Sequence, residues 1–156
     1  MPGVFADALI AILAAMLIIA ATGDLRTRTI PNWLNGAIAL GAIPFWVVSG
    51  LSVWPDMAIQ IGVALAVFAA FALAFHLGAM GGGDVKMVAA LALWLPLGAV
   101  IKLLVIMSIA GGVLTVAMLV RHRTAKSGKE LEIPYGVAIA FGGFWLIAER
   151  FLNQFG

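Results

Sequence analysis

Gly81-Gly82-Gly83-Asp84-Val85-Lys86 is a polar island in an apolar sequence. A long apolar segment ends at His76 before it, and the chain turns apolar again within two residues after it. An acid and a base at such a point are costly in lipid unless they are paired or take part in function. A second acid, Asp24, stands in a similar place after the first apolar segment. The two positions point to one site at a membrane surface.

The composition sets the class. Of 156 residues, 64% are hydrophobic and 10% charged, and the mean hydropathy is +1.15. A soluble domain is roughly half apolar and a quarter charged. One small core cannot hide this much apolar surface, so lipid is the solvent the chain requires, and its unit is a span of roughly 20 residues. The expectation is a single integral-membrane domain over residues 1–156, all-α and polytopic. A net charge of +2 gives no basis for binding nucleic acid. The absence of cysteine excludes disulfides, thiol catalysis and cysteine-ligated zinc. Met1 to Asp7 carries no Lys or Arg, unlike the basic start of a cleaved signal peptide, so the first apolar segment reads as a retained span.

About six transmembrane helices are expected. Span one covers Val4 to Thr22, and span two covers Asn32 to Val48, with Pro31 suited to the helix start. Ser49 to Asp56 reads as a loop and Met57 to Leu77 as span three. Pro96 and Gly98 divide the next apolar stretch into a short span four, Val85 to Leu95, and a span five ending at Val120. Arg121 to Glu132 reads as a polar loop and Pro134 to Phe151 as span six. With six alternating spans, Arg26, Arg28, Lys86, Arg121, Arg123, Lys126 and Lys129 fall on one side, against Lys102 and Arg150 on the other. That bias places the basic side in the cytoplasm. Asp24 and Asp84 then share the cytoplasmic face.

Two carboxylates held close do not both ionise easily, and the pair titrates as a unit. The ionised member can take a proton from water while the protonated member polarises a carbonyl and later protonates the leaving amine. That suffices for peptide hydrolysis without metal or cofactor. Gly81, Gly82 and Gly83 are expected to take positive φ or to let a substrate approach closely, and Asp84 is expected to cap the next helix. The plainer reading of such a motif is a capped tight turn. Gly23-Asp24-Leu25-Arg26 and Gly83-Asp84-Val85-Lys86 share an order of residue types, suggestive of two similar half-sites. Lys86 either tunes the local charge or snorkels to headgroups. Lys102 is expected to snorkel outward or pair with Glu149. His76 and His122 lack metal-site spacing, and the Met and Trp residues suit packing and interface anchoring.

Gly81-Gly82-Gly83-Asp84 fits the G-x-G-D motif of membrane aspartic proteases, and Asp24 followed by Ile30-Pro31-Asn32 resembles the first catalytic motif of type IV prepilin peptidases. Val85-Lys86 and Ile133-Pro134-Tyr135-Gly136-Val137-Ala138 resemble further segments of that family. The resemblance implies removal of a short basic leader from pilin-like precursors at the cytoplasmic face of the inner membrane. It makes Asp24 and Asp84 the catalytic pair, with Gly81, Gly82, Gly83, Lys86, Pro134, Tyr135 and Gly136 as substrate-binding or supporting residues. Pilin-like precursors and membrane lipid are the implied partners. The chain lacks the cysteine pairs of the large bifunctional members, so methyltransferase activity is not expected. It is more similar to the short, peptidase-only branch serving tight-adherence (Flp-type) pili. The alternative is a non-enzymatic membrane component, a small transporter or a pilus-assembly subunit, since intramembrane acids also serve proton pathways.

Overall fold

The computed structural model describes residues 2–125 and 133–154. Six α-helices, and no strand, are found among them. The protein is an all-α membrane protein. α1 spans Pro2–Thr27, α2 Asn32–Val48, α3 Ala58–His76, α4 Gly82–Ala92, α5 Leu97–Ala125 and α6 Tyr135–Gln154.

The ends of the helices follow local chemistry. α1 runs five residues beyond the expected end at Thr22 and carries Gly23 and Asp24 inside it. The Thr27 hydroxyl donates to the Gly23 carbonyl at 2.9 Å, a bond that ties down the last turn. The helix stops at Arg28, which takes a left-handed φ of 54° while its N–H donates to the Asp24 carbonyl at 3.0 Å. α2 has the expected bounds, with Pro31 extended just ahead of it. α3 closes in a Schellman turn: Gly78, at φ 73°, donates to the Phe75 carbonyl, and Ala79 donates to that of Ala74. Pro96 separates α4 from α5 as expected. α5 stays helical to Ala125, so Arg121 and Arg123 sit on a helix rather than in the expected loop. Lys126, Lys129 and Glu132 lie outside the described residues.

Four helical stretches are long and apolar enough to cross a membrane: Gly3–Thr27, Val53–His76, Leu97–Arg123 and Tyr135–Asn153. α2, with 17 residues, stands at the lower limit. α4 has 11 residues and rises about 16 Å, too short for a hydrocarbon core of about 30 Å. It is instead the buried centre of the bundle, packed against α2, α3 and α6, with Val85 and every residue from Met87 to Ala92 buried. Around it α1 packs on α2 and α6, and α5 on α6.

Leu17, Leu34, Ile38, Met87, Leu91, Leu103 and Ile139 form the fully buried core. Small residues let the backbones approach: a Cβ on Gly143 would lie 2.7 Å from Leu17, and one on Gly41 2.9 Å from Trp94. The buried indole of Trp94 donates to the Ile38 carbonyl at 2.8 Å, and that of Trp46 to the Leu93 carbonyl at 2.8 Å, so these two residues serve packing. Outside, Ile12, Leu40, Leu65, Ile109, Val113 and Trp145 expose their side chains, as a lipid-facing surface requires.

The two ends of the bundle differ. At one end Lys102 pairs with Glu149 at 2.6 Å, and Arg150 lies 3.9 Å from Asp7 and over the Phe45 ring. These contacts bring together the starts of α1 and α5 and the end of α6. At the other end the last turn of α1 meets the first turns of α4 and α6, and Asp24 and Asp84 are found there.

Candidate active site

Asp24 and Asp84 line one cavity of about 440 Å³, shared with Arg28, Gly78, Ala79, Met80, Gly81, Ile133 and Tyr135. Both carboxylates belong to residues that are buried, at 4% and 8% exposure. Asp24 comes from the last turn of α1 and Asp84 from the first turn of α4, so neither sits at the middle of a membrane-length helix.

The first turn of α6 supplies the donors. The Val137 N–H donates to Asp24 Oδ2 at 3.3 Å. The Gly136 N–H, next to it in the same turn, acts on both Asp24 and Asp84. A helix leaves the N–H groups of its first turn without an i−4 partner, and here the Val137 N–H is shared between Asp24 and the Pro134 carbonyl at 3.2 Å, with the positive end of the helix dipole behind it. Gly136 has to be glycine for space: a Cβ there would lie 2.8 Å from Asp24 Oδ2 and 2.7 Å from Ile30 Cδ1. Pro134 is buried directly ahead of this turn, and the Tyr135 ring packs against Gly111 of α5.

Asp84 stands outside the four helices of membrane length. Burial, and after it the charge of Asp24, push its carboxyl from 3.8 up to about 7, against the opposing effect of the Gly81 and Gly136 N–H groups. The site therefore holds a proton on Asp84 near neutral pH.

The three glycines act through close contact, not through positive φ. Gly81 is extended at φ −73°, and Gly82 and Gly83 are the first two residues of α4. The left-handed glycine of this turn is Gly78. A Cβ on Gly81 would lie 2.9 Å from Asp84 Oδ2, one on Gly82 3.3 Å from the Phe75 ring, and one on Gly83 3.3 Å from Ile30. Asp84 is in the third position of α4 and turns back toward Gly81, which occupies the cap position the sequence assigned to Asp84. The Lys86 ammonium donates to Asn32 Oδ1 at 2.8 Å and is exposed on the flank of α4, away from the acid cavity.

Three neighbours of the site were given no part in it by the sequence, although Ile30 belongs to the segment quoted after Asp24 and Arg28 to the basic residues that set the orientation. Asn35 Nδ2 donates to the Gly83 carbonyl at 3.1 Å and holds the start of α4 against α2. Ile30 packs against both Gly83 and Gly136. Arg28 lines the cavity, and its charge acts on Asp24. Two of these carry a sequence signal: Arg28 is a base four residues after Asp24, and Asn35 is polar in an apolar helix, one turn after Asn32.

Two buried acids, one from the end of α1 and one from the start of α4, thus share a cavity beside the first turn of α6 in an all-α membrane protein, and no single helix holds the site. The type IV leader peptidase family model matches residues 11–116, and the chain belongs to that family. The matched region contains both aspartates; the first turn of α6 lies beyond it. Neither the comparison with curated proteins nor that with solved structures gave a match. Membership makes the chain a membrane peptidase with protein substrates.

Proposed function

We propose that the chain is an aspartic endopeptidase that removes the leader from type IV prepilin-like precursors at the cytoplasmic face of the inner membrane. The observation that carries this reading is the common cavity of Asp24 and Asp84, with the first turn of α6 donating to Asp24 at its edge. Asp24, with the Val137 N–H donating to it and Arg28 lining the same cavity, takes the part of the ionised partner in this scheme. Asp84 keeps the proton.

In this scheme a water lies between the acids. Asp24 takes its proton as the water oxygen bonds to the scissile carbonyl carbon, and Asp84 gives its proton to the carbonyl oxygen. A tetrahedral diol results. The diol returns a proton to Asp84 as its carbonyl re-forms, the leaving nitrogen takes the proton held by Asp24, and the C–N bond breaks. Each acid ends in its starting state. Both chemical steps stay within reach of two side chains, as general acid–base catalysis requires.

The placement of both acids at one end of the bundle, facing one cavity, disfavours a proton path, which would distribute acids near the midplane. The test is leader removal by the purified protein in lipid vesicles, with a pilin precursor as substrate. The wild type cleaves it. Asp24→Asn and Asp84→Asn insert normally and leave it uncut, and full processing by either variant overturns the reading.

A further inference from the structure

A second cavity, of about 640 Å³, opens sideways between α2 and α3. Its walls are Gly36, Ala39 and Leu40 of α2 and Ala64, Leu65 and Phe68 of α3, and its floor is α4. It follows α2 from Asn32 to Trp46, a rise of about 21 Å. α2 and α3 are joined here mainly through α4, since each packs on that short helix. The floor begins at Lys86, in the first turns of the helix that also carries Asp84, so the head of the groove and the acid cavity stand at the same end of α4, on different sides of it.

The head of the groove holds an incomplete hydrogen-bonding group. Asn35 lines it and is only 5% exposed. Its Nδ2 is committed to the Gly83 carbonyl, which fixes the other amide atom as oxygen. That Oδ1 is buried and accepts nothing among the described residues. A buried unpaired acceptor is destabilising, and a donor arriving at the head of the groove would satisfy it.

We propose that this groove seats the apolar helix of the precursor, with its N-terminal turn at Asn35 and the scissile bond beyond it at the acids; the assignment rests on the peptidase reading above. A helix brings unpaired N–H groups at its first turn, the donors that Asn35 Oδ1 lacks. The groove is apolar along its length, and Gly36, Ala39, Ala64, Ala89 and Ala90 give a backbone room to approach. A comparable groove between α5 and α6, lined by Ala110, Val113 and Phe141, has no polar side chain at its head. Asn35 therefore sets which groove is used and where the cut falls: the bond cleaved lies a fixed few residues before the start of the substrate helix.

Photo-cross-linking in vesicles tests this. A photoreactive residue replacing Leu40 or Leu65 is expected to capture the apolar segment of a pilin precursor, and one replacing Val113 is not. In parallel, Ala39→Phe should raise KM for the precursor about tenfold, the equivalent of losing about 1.4 kcal/mol of binding, while Ala110→Phe leaves it unchanged. Capture from Val113 alone, capture of lipid alone from Leu40 and Leu65, or a KM effect of Ala110→Phe without one of Ala39→Phe overturns the proposal. Cross-linking reads occupancy without turnover. Capture without cleavage would sink the peptidase reading and keep the groove, whereas cleavage without capture from α2 or α3 would sink the groove alone.

Discussion

The backbone N–H of Val137 donates to Asp24 Oδ2 at 3.3 Å, although 113 positions of chain separate the two residues. The last described helix thus aims a first-turn donor at an acid carried by the first. The adjacent Gly136 lies against Asp24 and Ile30 with no space for a side chain, so the site depends on how closely that turn can approach.

Gly136→Ala tests this approach. The added methyl would lie 2.7 Å from Ile30 and 2.8 Å from Asp24, so the turn must back away or the acid must rotate. Leader removal should fall at least about tenfold, with a stability loss of about 1–3 kcal/mol typical of overpacking. Precursor processing and thermal unfolding in detergent read the two effects. Unchanged processing would mean that α6 does not act on the acids.

The raised Asp84 predicts how activity depends on pH. If Asp84 must hold a proton and ionises at about 7, the rate should fall as pH rises through about 7. Stability has the same sign. The folded state keeps its proton above the ordinary 3.8, so this contribution is complete below that value and is lost as pH rises to about 7. A melting-temperature series should show the wild type losing stability relative to Asp84→Asn across that window. Parallel curves would refute the shift.

Arg28→Gly should separate stability from activity. Arg28 holds a left-handed φ of 54° at the end of α1, a place where glycine is favoured. Glycine should raise the melting temperature, by an amount corresponding to about 0.5–1 kcal/mol. It also removes a cation from the acid cavity. Processing should therefore drop while the fold gains. A variant that is both more stable and fully active would reduce Arg28 to a helix terminator.

Lys102 and Glu149 provide a control far from the acids. Their ion pair is 2.6 Å long, with side chains 58% and 35% exposed, so its coupling should be modest, about 0.2–1 kcal/mol. Lys102→Met and Glu149→Gln should each lower the melting temperature, and the double variant should lose less than the sum. Neither should alter the rate of leader removal. A change in rate would connect the two ends of the bundle.

Much of the helix pattern was legible because membrane helices are governed by composition and by a few local stops. Pro31 and Pro96 mark breaks that the chain observes. α1 was read too short because Gly23 and Asp24 look like a terminus. Inside the fold Thr27 bonds back to Gly23, and α6 satisfies Asp24. A short fourth helix was expected, but as a span over Val85 to Leu95; α4 runs from Gly82 to Ala92, and its role as the packed centre depends on its neighbours. At the site, the two Gly-Asp pairs drew attention to both acids. Positive φ was assigned to the glycine run, whereas the turn needs it at Gly78. Gly136 was flagged by resemblance alone, since nothing in its own spacing says which acid it will face. Asn35 and Ile30 matter through contacts with Gly83, and such contacts exist only after α2 and α4 have met.

The position of the α6 donors also bears on biosynthesis. As the ribosome delivers this chain, Asp24 and Asp84 are made before the segment from Tyr135 onward. A newly made fragment would own both acids and still lack the N–H groups that join them. If the acids act only with that turn in place, the chain gains its chemistry late, after α6 has been made.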